Sequence, residues 1–490
     1  MKLLSELLQG FDYSIDSGTI DGADISAVAY DSRKACHGGL FVCIKGAAFD
    51  GHEFAEEVAL KGVRAIVAER PLNLPKRDDL TVILVEDSRY ALAFISAAWF
   101  DHPAESLKVI GITGTKGKTT STYLVKSMLE KAGHKVGLIG TIETVIGDEH
   151  RPAKNTTPES YLLQEAFAEM RERGMDSVVM EVSSQALMLH RTQGFIFDYG
   201  VFTNIEPDHI GPNEHKDFED YLSCKGRLFR QCRVGIVNGD DKHTLKLLMG
   251  HSCALESFGM GDENDIHASD VHLIKTPGAL GVGFDIHGKL EMKNVEVSAP
   301  GQFSVYNALC AIAIAKDFGV PTDIMRESLK GVHVRGRIEA VKVSDEFSLM
   351  IDYAHNAMAL KSLLTSLREY EPGRLICVFG CGGNRSRERR FEMGEVSGQL
   401  ADFTIITSDN PRFEDPKAIM EDIETGIKKT AGEYIMIEDR KEAIAYAIHN
   451  GRPGDVIVLA GKGHEDYQEI KGVKHDMDER VLIKEILEGK

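Results

Sequence analysis

The sequence predicts an α/β fold, and three observations carry that expectation. β-patterned runs alternate with helical ones along most of the 490 residues, as in mostly parallel sheets covered on both faces by helices. Residues 108–122 read as strand, glycine-rich turn, lysine, hydroxyls and helix, in that order. Late in the chain three further strand-like runs, 375–379, 403–407 and 456–460, each open into a polar loop rich in Gly or Asn. A chain of this length exceeds one core, and two to four domains are expected.

The elements divide into three parts. In 1–103, residues 40–44, 65–67 and 82–85 read as strands, and 54–61 and 89–100 as helices. Asp101-His102-Pro103 breaks the helical pattern, which puts a boundary near 104. The second part, 104–336, begins with the strand 109–112, followed by a helix through Tyr123, Leu124, Val125, Met128 and Leu129. Strands follow at 136–139, 177–181, 199–202 and 235–237. Residues 266–297, with Gly278, Gly281, Gly283 and Gly288 and few helix signals, read as an antiparallel excursion. Helices at 305–318 and 323–330 lead to Val334-Arg335-Gly336-Arg337. A second α/β unit fills 337–490.

Composition excludes several classes. Apolar residues make up 43% and charged residues 27% of the chain, as in ordinary globular proteins. The 57 Lys and Arg against 76 Asp and Glu give a net charge of −19, which argues against nucleic acid or an anionic membrane as partner. The eight cysteines form no CxxC pair, so neither a zinc site nor a disulfide framework is expected, and a reducing cytosol fits. Glu6 interrupts what would be the apolar stretch of a signal peptide. The longest apolar stretch, 90–100, is too short to span a bilayer.

Gly114-Thr115-Lys116-Gly117-Lys118-Thr119-Thr120 is a phosphate cradle. Loop N–H groups and the positive helix end face the anion, Lys118 reaches the β/γ-phosphates, and Thr119 or Thr120 offers a hydroxyl to Mg²⁺. It is a variant loop, since neither Gly111 nor Gly114 stands at the strict spacing from Gly117. Downstream, Glu181 ends a strand, Asp208-His209 follows another, and Lys225 lies on a helix. Singly each has an ordinary structural reading. Together, after a phosphate loop, they suggest a Mg²⁺ site beside the triphosphate. Arg385, Arg387, Arg389 and Arg390, with Arg412 after Asp409-Asn410-Pro411, suggest a second anionic ligand, because a guanidinium matches a carboxylate in bidentate fashion. Gly380-Cys381-Gly382-Gly383 is only a weak dinucleotide-binding signal.

These motifs resemble the Mur ligase family over essentially the whole chain. The phosphate loop, Asp208-His209, residues 221–229 and Asn238-Gly239-Asp240-Asp241 carry the family resemblance. Asp31-Ser32-Arg33, Asn155-Thr156-Thr157-Pro158, Glu181-Val182-Ser183-Ser184, Gly336-Arg337-Ile338-Glu339, Asp352-Tyr353-Ala354-His355, Gly380–Gly383, Asp409-Asn410-Pro411-Arg412 and Gly461-Lys462-Gly463-His464-Glu465 narrow it to the branch that adds the third residue of the peptidoglycan stem peptide.

The resemblance implies an N-terminal domain for the UDP moiety, a central ATP-binding domain and a C-terminal Rossmann-like domain that takes the amino acid and closes over the site. It implies a cytoplasmic enzyme, expected to act as a monomer, whose partners are ATP, UDP-N-acetylmuramoyl dipeptide and meso-diaminopimelate, with no nucleic acid and no membrane insertion. ATP would phosphorylate the D-glutamate carboxylate, and the diamino acid's amine would displace phosphate from the acyl phosphate. Two Mg²⁺ ions are implied, one at Thr119 and one at Glu181, His209 and a carbamate on Lys225 (N6-carboxylysine). Asn307, Arg337, Asp352 and His355 would join the phosphate loop in holding ATP. Ser32, Asn155, Thr156, Thr157, Ser183 and Arg191 would hold the UDP-muramoyl dipeptide. Arg412 and Asn410 would grip the distal end of diaminopimelate, with Arg390, Asp409, Gly461 and Glu465 completing the pocket.

Asp-Asn-Pro-Arg belongs to the diaminopimelate-adding branch, whereas lysine-adding relatives usually lack the arginine. Four positions depart from the usual pattern: Gln185 where His is usual, Asn384 and Ser386 where Asp is usual, and Phe391 where Pro is usual. They leave L-lysine or another amino acid as an alternative acceptor. A folylpolyglutamate synthetase-like enzyme shares the phosphate loop and metal lysine, but not Asp31-Ser32-Arg33 or Asp409–Arg412. A P-loop NTPase switch would ignore the amino acid altogether.

Overall fold

The computed structural model describes every residue except 47, 48, 75, 76, 212, 213, 277, 278 and 490. Gly278 of the expected antiparallel excursion therefore lies outside the described residues. The chain forms two compact units, Met1–Gly259 with Cys310–Val320, and Met260–Leu309 with Pro321–Lys490.

The first unit contains two main sheets. Residues 14–84 supply five strands in the order Ser14–Ser17, Thr81–Leu84, Ala65–Ala68, Leu40–Val42, Val28–Ala29. All neighbours run parallel except the first pair. Each face buries its own apolar cluster, one around Leu40, Val67 and Ile83, the other around Phe41, Val58 and Ile66. Helix Ser88–Trp99 covers the first face. Asp87 caps it by accepting from the Arg89 and Tyr90 N–H groups, which satisfies two orphan donors. It ends where Asp101 and His102 turn left-handed, at φ 58° and 47°, just before Pro103.

The second sheet is central to function. Its strands run Glu149–Pro152, Glu143–Ile146, Val136–Ile139, Ser177–Glu181, Lys108–Thr113, Phe197–Phe202, Cys232–Asn238 and Ala254–Gly259. The hairpin at the first edge and its pairing with Val136–Ile139 are antiparallel, and the remaining pairs are parallel. Lys108–Thr113 is buried on both faces beyond its first residue, hence its unbroken apolar run. The chain leaves this strand toward one side of the sheet and later returns to the other. Ligands bind at such a reversal, beyond the carboxyl ends of the strands, and the phosphate loop stands there.

The second unit has a meander of Ile266–Thr276, Ala279–Gly288 and Met292–Val297, antiparallel throughout. Helix Thr322–Gly331 follows in the same unit. A six-stranded sheet follows in the order Glu339–Val341, Ser348–Asp352, Val456–Ala460, Leu375–Phe379, Phe403–Ile406, Glu433–Met436. Only the first pair is antiparallel. Val456–Ala460, last in sequence, inserts beside Leu375–Phe379, which creates a second reversal point. The loops after these two strands and after Phe403–Ile406 all emerge at their carboxyl ends.

Candidate active site

The phosphate loop is built by backbone that only glycine accommodates well. Gly117 takes φ +86°, and a Cβ on Gly114 would collide with the Thr203 hydroxyl. The loop is braced from the next strand's end. Asn204 accepts from the Lys116 N–H and donates to the Lys116 carbonyl, both at 3.0 Å, and the Thr203 hydroxyl donates to that carbonyl at 2.7 Å. Thr115 reaches the Tyr221 hydroxyl at 3.0 Å, and Lys116 pairs with Glu206 at 2.9 Å. Helix Lys118–Lys131 starts directly after Gly117, so its free N–H groups face the loop.

Two lysines share one carbonyl. Lys118 Nζ donates to the Gly114 and Thr115 oxygens at 2.8 and 3.1 Å, and Lys225 Nζ donates to Gly114 O at 2.9 Å. Lys225 is 1% exposed and sits 4.7 Å from the centre of the Tyr221 ring. Burial first, then the Lys118 charge, holds its pKa well below the usual lysine range. Burial and the neighbouring charge thus disfavour the ammonium form relative to a lysine in water.

Glu181 is also 1% exposed but well solvated by protein. It accepts from the Thr119 hydroxyl at 3.0 Å, the Thr141 N–H at 2.8 Å and the Thr141 hydroxyl at 3.0 Å. Thr141 also reaches the Thr156 hydroxyl at 3.0 Å. The Thr157 hydroxyl donates to the Glu181 carbonyl and accepts from the Ser183 N–H, while Arg191 donates to the Thr157 carbonyl. Thr119, Glu181, Thr156, Thr157, Ser183 and Arg191 thus form one connected patch. Asn155 is exposed beside it. Ser32 lies elsewhere in the unit, on a turn capped by Asp31. Arg33, bonded to Asp31, lowers that carboxyl to about 2.

His209 adopts φ +54° and is exposed, 3.3 Å from Glu214. Among the described residues it makes no hydrogen bond to Glu181 or Lys225. The link runs through Tyr221, whose ring centre lies 6.1 Å from that of His209.

In the second unit the loops after Phe403–Ile406 and Val456–Ala460 meet at Lys462, whose side chain is fully buried. Its ammonium donates to Asn410 Oδ1 at 2.9 Å, Glu465 at 3.0 Å and the Tyr467 carbonyl at 2.5 Å. Asn410 Nδ2 donates to Glu465 at 2.8 Å. Asp409 lies 3.9 Å from the same ammonium and beside Gly461, where a Cβ would stand 3.0 Å from its carboxylate. Arg412 is held in the left-handed region at φ +54°. Its Nε donates to Glu469 and its Nη1 to the Gly383 carbonyl. That leaves Nη2 without a protein acceptor among the described residues, on a side chain 24% exposed.

Arg390, expected to line this pocket, is turned into the protein. It is 2% exposed and forks onto Glu414 and Asp422. What it offers the loops is position, not an open cation. Arg389 has no ion-pair partner among the described residues. Asp352 accepts from the Ile338 and Ala354 N–H groups. Arg337 covers the Tyr353 ring at 4.8 Å, and His355 and His464 flank the same ring. Asn307 lies on helix Gln302–Asp317. Of the departing positions, Gln185 is exposed, and Ser386 precedes helix Arg387–Leu400 without capping it by side chain. Phe391 packs 5.9 Å from the Arg387 guanidinium. Asn384 turns its loop at φ +54°, accepts from Phe413 N–H and donates its own N–H to Glu414.

The sequence does not single out Thr141, Tyr221 or Lys462 as partners. Lys462 and Tyr221 had a signal, since they stand within the Gly461–Glu465 motif and the 221–229 stretch. Thr141 is brought in by the sheet.

Comparison with known proteins gives a consistent result. Residues 24–100 match the model described as Mur ligase family, catalytic domain, residues 112–315 the Mur ligase middle domain, and residues 336–463 the Mur ligase, glutamate ligase domain. The chain is 44% identical, over 99% of its own length and 98% of the relative's, to a UDP-N-acetylmuramoyl-L-alanyl-D-glutamate--2,6-diaminopimelate ligase of Caldanaerobacter subterraneus subsp. tengcongensis. The protein of that name in Clostridium botulinum is 41% identical over 99% of each chain. A solved structure of an enzyme with the same name superposes with a TM-score of 0.70 at 28% identity, covering 95% of each chain. A folylpolyglutamate synthase of Mycobacterium tuberculosis shares the fold at TM-score 0.60 and 17% identity, over 76% of this chain and 92% of its own.

Proposed function

The chain belongs to the Mur ligase family, and from that premise we propose that it joins meso-diaminopimelate to UDP-N-acetylmuramoyl-L-alanyl-D-glutamate at the expense of ATP. The D-glutamate carboxylate attacks the γ-phosphorus and ADP leaves. The amine of diaminopimelate adds to the resulting acyl phosphate, and the tetrahedral adduct expels phosphate as the amide forms. The acceptor choice rests on Arg412. Its unshared Nη2 and half-buried position suit a distal carboxylate, the group that distinguishes diaminopimelate from lysine. Asn410, Asp409, Gly461 and Glu465 shape the same pocket, with Glu465 facing an ammonium. Arg390 holds Glu414 and the pocket wall behind them.

The phosphate loop, Gly114–Thr120, cradles ATP, with Lys118 drawn from its two loop carbonyls onto the transferring phosphoryl group. Arg337, Asp352, His355 and Asn307 receive the rest of the nucleotide. The residues present fit Mg²⁺: a buried carboxylate, Glu181, already touches the Thr119 hydroxyl, and the donors are hard oxygens with one imidazole. Thr119 would hold one ion, and Glu181, His209 and Lys225 a second. Bound there, Mg²⁺ would neutralise charge on the phosphates. Lys225 joins as a carbamate: its uncharged amine adds to CO₂, the N–C bond forms, one C=O pair moves onto oxygen and a proton leaves. Thr156, Thr157, Ser183 and Arg191, with Asn155 and Ser32, bind the UDP-muramoyl dipeptide. We assign the enzyme to the cytoplasm as a monomer. Among the described residues no helix is long and apolar enough to cross a membrane. The test is ATP-dependent phosphate release with the UDP-muramoyl dipeptide, comparing meso-diaminopimelate with L-lysine. Release with neither amino acid, or with lysine alone, overturns the acceptor assignment.

A further inference from the structure

One buried imidazole that the reaction does not use ties together the three segments carrying Glu181, His209 and Lys225. His215 is 1% exposed. Its Nδ1 lies 3.0 Å from the Asp220 carboxylate and its Nε2 2.9 Å from the Ser184 hydroxyl. Asp220 can only accept, so Nδ1 carries a proton toward it, and Nε2 shares a hydrogen bond with the Ser184 hydroxyl. Asp220 stands on helix Phe218–Gly226, which also carries Lys225. Ser184 follows strand Ser177–Glu181 by three residues, and Ser183 between them caps the helix that Ser184 begins. The third tie is backbone. The His215 N–H donates to the His209 carbonyl at 3.0 Å, and the Gly211 N–H donates to the His215 carbonyl at 3.1 Å. That closure sets the left-handed turn at His209.

Resting on the metal site proposed above, we infer that His215, with Ser184 and Asp220, is a positioning device for that site. It sets the spacing between the carboxylate, imidazole and lysine that must meet at one ion. Outer-shell hydrogen bonds of this type fix the orientation of metal ligands, and their loss typically weakens metal affinity about 10–100-fold. The Ser184–His215–Asp220 line has the order of a nucleophile, base and acid. The Ser184 hydroxyl is buried, however, at 4% exposure, and so is the imidazole, so the line serves as a lock and not as an acylation site. Cys224 Sγ, 3.9 Å from Asp220, walls the far side, and burial raises its thiol pKa, which keeps it protonated.

The test compares the parent protein with His215→Ala, Ser184→Ala and Ser184→Thr. Each is equilibrated with ¹³C-bicarbonate and Mg²⁺ for NMR of the carbamate carbon, then titrated with Mg²⁺ for ATP-dependent phosphate release, with thermal melting alongside. His215→Ala is expected to raise the half-activating Mg²⁺ concentration about 10-fold or more and to weaken the carbamate signal. Ser184→Ala shifts both in the same direction, and Ser184→Thr, which keeps the hydroxyl, restores them. Parent-like Mg²⁺ dependence and carbamate signal in a folded His215→Ala protein overturn the inference. If that variant does not fold, parent-like values in Ser184→Ala overturn it alone. A parent protein with neither carbamate signal nor Mg²⁺ response overturns the underlying metal-site reading instead, and with it this one.

Discussion

At the scale of single residues the proposed pocket turns on Arg412. Its backbone is held left-handed, a conformation that costs a non-glycine residue on the order of 1 kcal/mol, by bonds from its N–H to the Glu469 carbonyl and from the Lys471 N–H to its own carbonyl. That geometry aims the guanidinium at the Gly383 carbonyl while leaving donors over. Arg412→Ala should raise KM for diaminopimelate by about 100-fold or more, the scale of unpairing a buried charge, with KM for ATP little changed. Steady-state kinetics with each substrate varied checks this. Lys462→Met removes the ammonium that neutralises Glu465 and orients Asn410. It should impair diaminopimelate use and also destabilise the fold by about 3–5 kcal/mol, measurable by urea unfolding. The two variants separate a ligand contact from its support. The motif residues are legible in the sequence because phosphate and carboxylate chemistry restricts the choice of side chain. Their supports are not. Thr141 on Glu181 and Asn204 on Lys116 are ordinary polar residues until the sheet sets their strands side by side.

At the scale of elements, helices Arg387–Leu400 and Pro416–Ile427 are fastened by Arg390 between Glu414 and Asp422, with Arg387 on the outer side of Asp422. The arginines hold the Asp422 carboxyl below its usual range, and the Asn384 N–H and Arg390 do the same for Glu414. Stability from this cluster is therefore present above the ordinary carboxylate pKa values of about 4 and is lost as pH falls through the lowered ones. Arg390→Met takes the guanidinium from Glu414 and leaves Asp422 with Arg387 alone; it should cost about 3 kcal/mol and should lessen the acid limb of the stability profile. Equal acid limbs in the two proteins would count against the cluster. The arginine run is legible as anion-directed, but its partners are not. Glu414 and Asp422 are brought within reach of Arg390 by the next loop and helix, not by the local helical spacing of Glu388 or Glu392. Strands buried on both faces, such as Ser177–Glu181 and Leu375–Phe379, are legible to the residue, since their apolar runs are unbroken. The edge hairpin Glu143–Ile146/Glu149–Pro152 and the amphipathic helix Ser160–Glu172 are not, because alternating charge and apolar residues there carry little contrast.

At the scale of the whole molecule, each unit has a mostly parallel sheet with a reversal in strand order, and the proposed substrate loops stand at both reversals. That organisation is legible from the position of polar loops after β-patterned runs. Strand order is not, because Val456–Ala460 pairs between strands far earlier in the chain. The second unit also carries a pH signature. Burial, then Arg337, Arg335, Arg480 and His355, pushes the His464 imidazole down to about 4. In the unfolded chain it would hold its proton up to about 6.5. Between those values the unfolded chain binds more protons, so stability rises with pH across that window. Replacing His464 with Gln should remove that slope, at most about 1.4 kcal/mol per pH step of one, read from urea midpoints at about pH 3.5 and 7, which bracket the window. The most direct test of the central assignment remains phosphate release with ATP and the UDP-muramoyl dipeptide. Strong turnover with meso-diaminopimelate, little with L-lysine, and loss of that preference in Arg412→Ala are the expected results. Equal or better turnover with lysine in the parent protein would contradict the assignment.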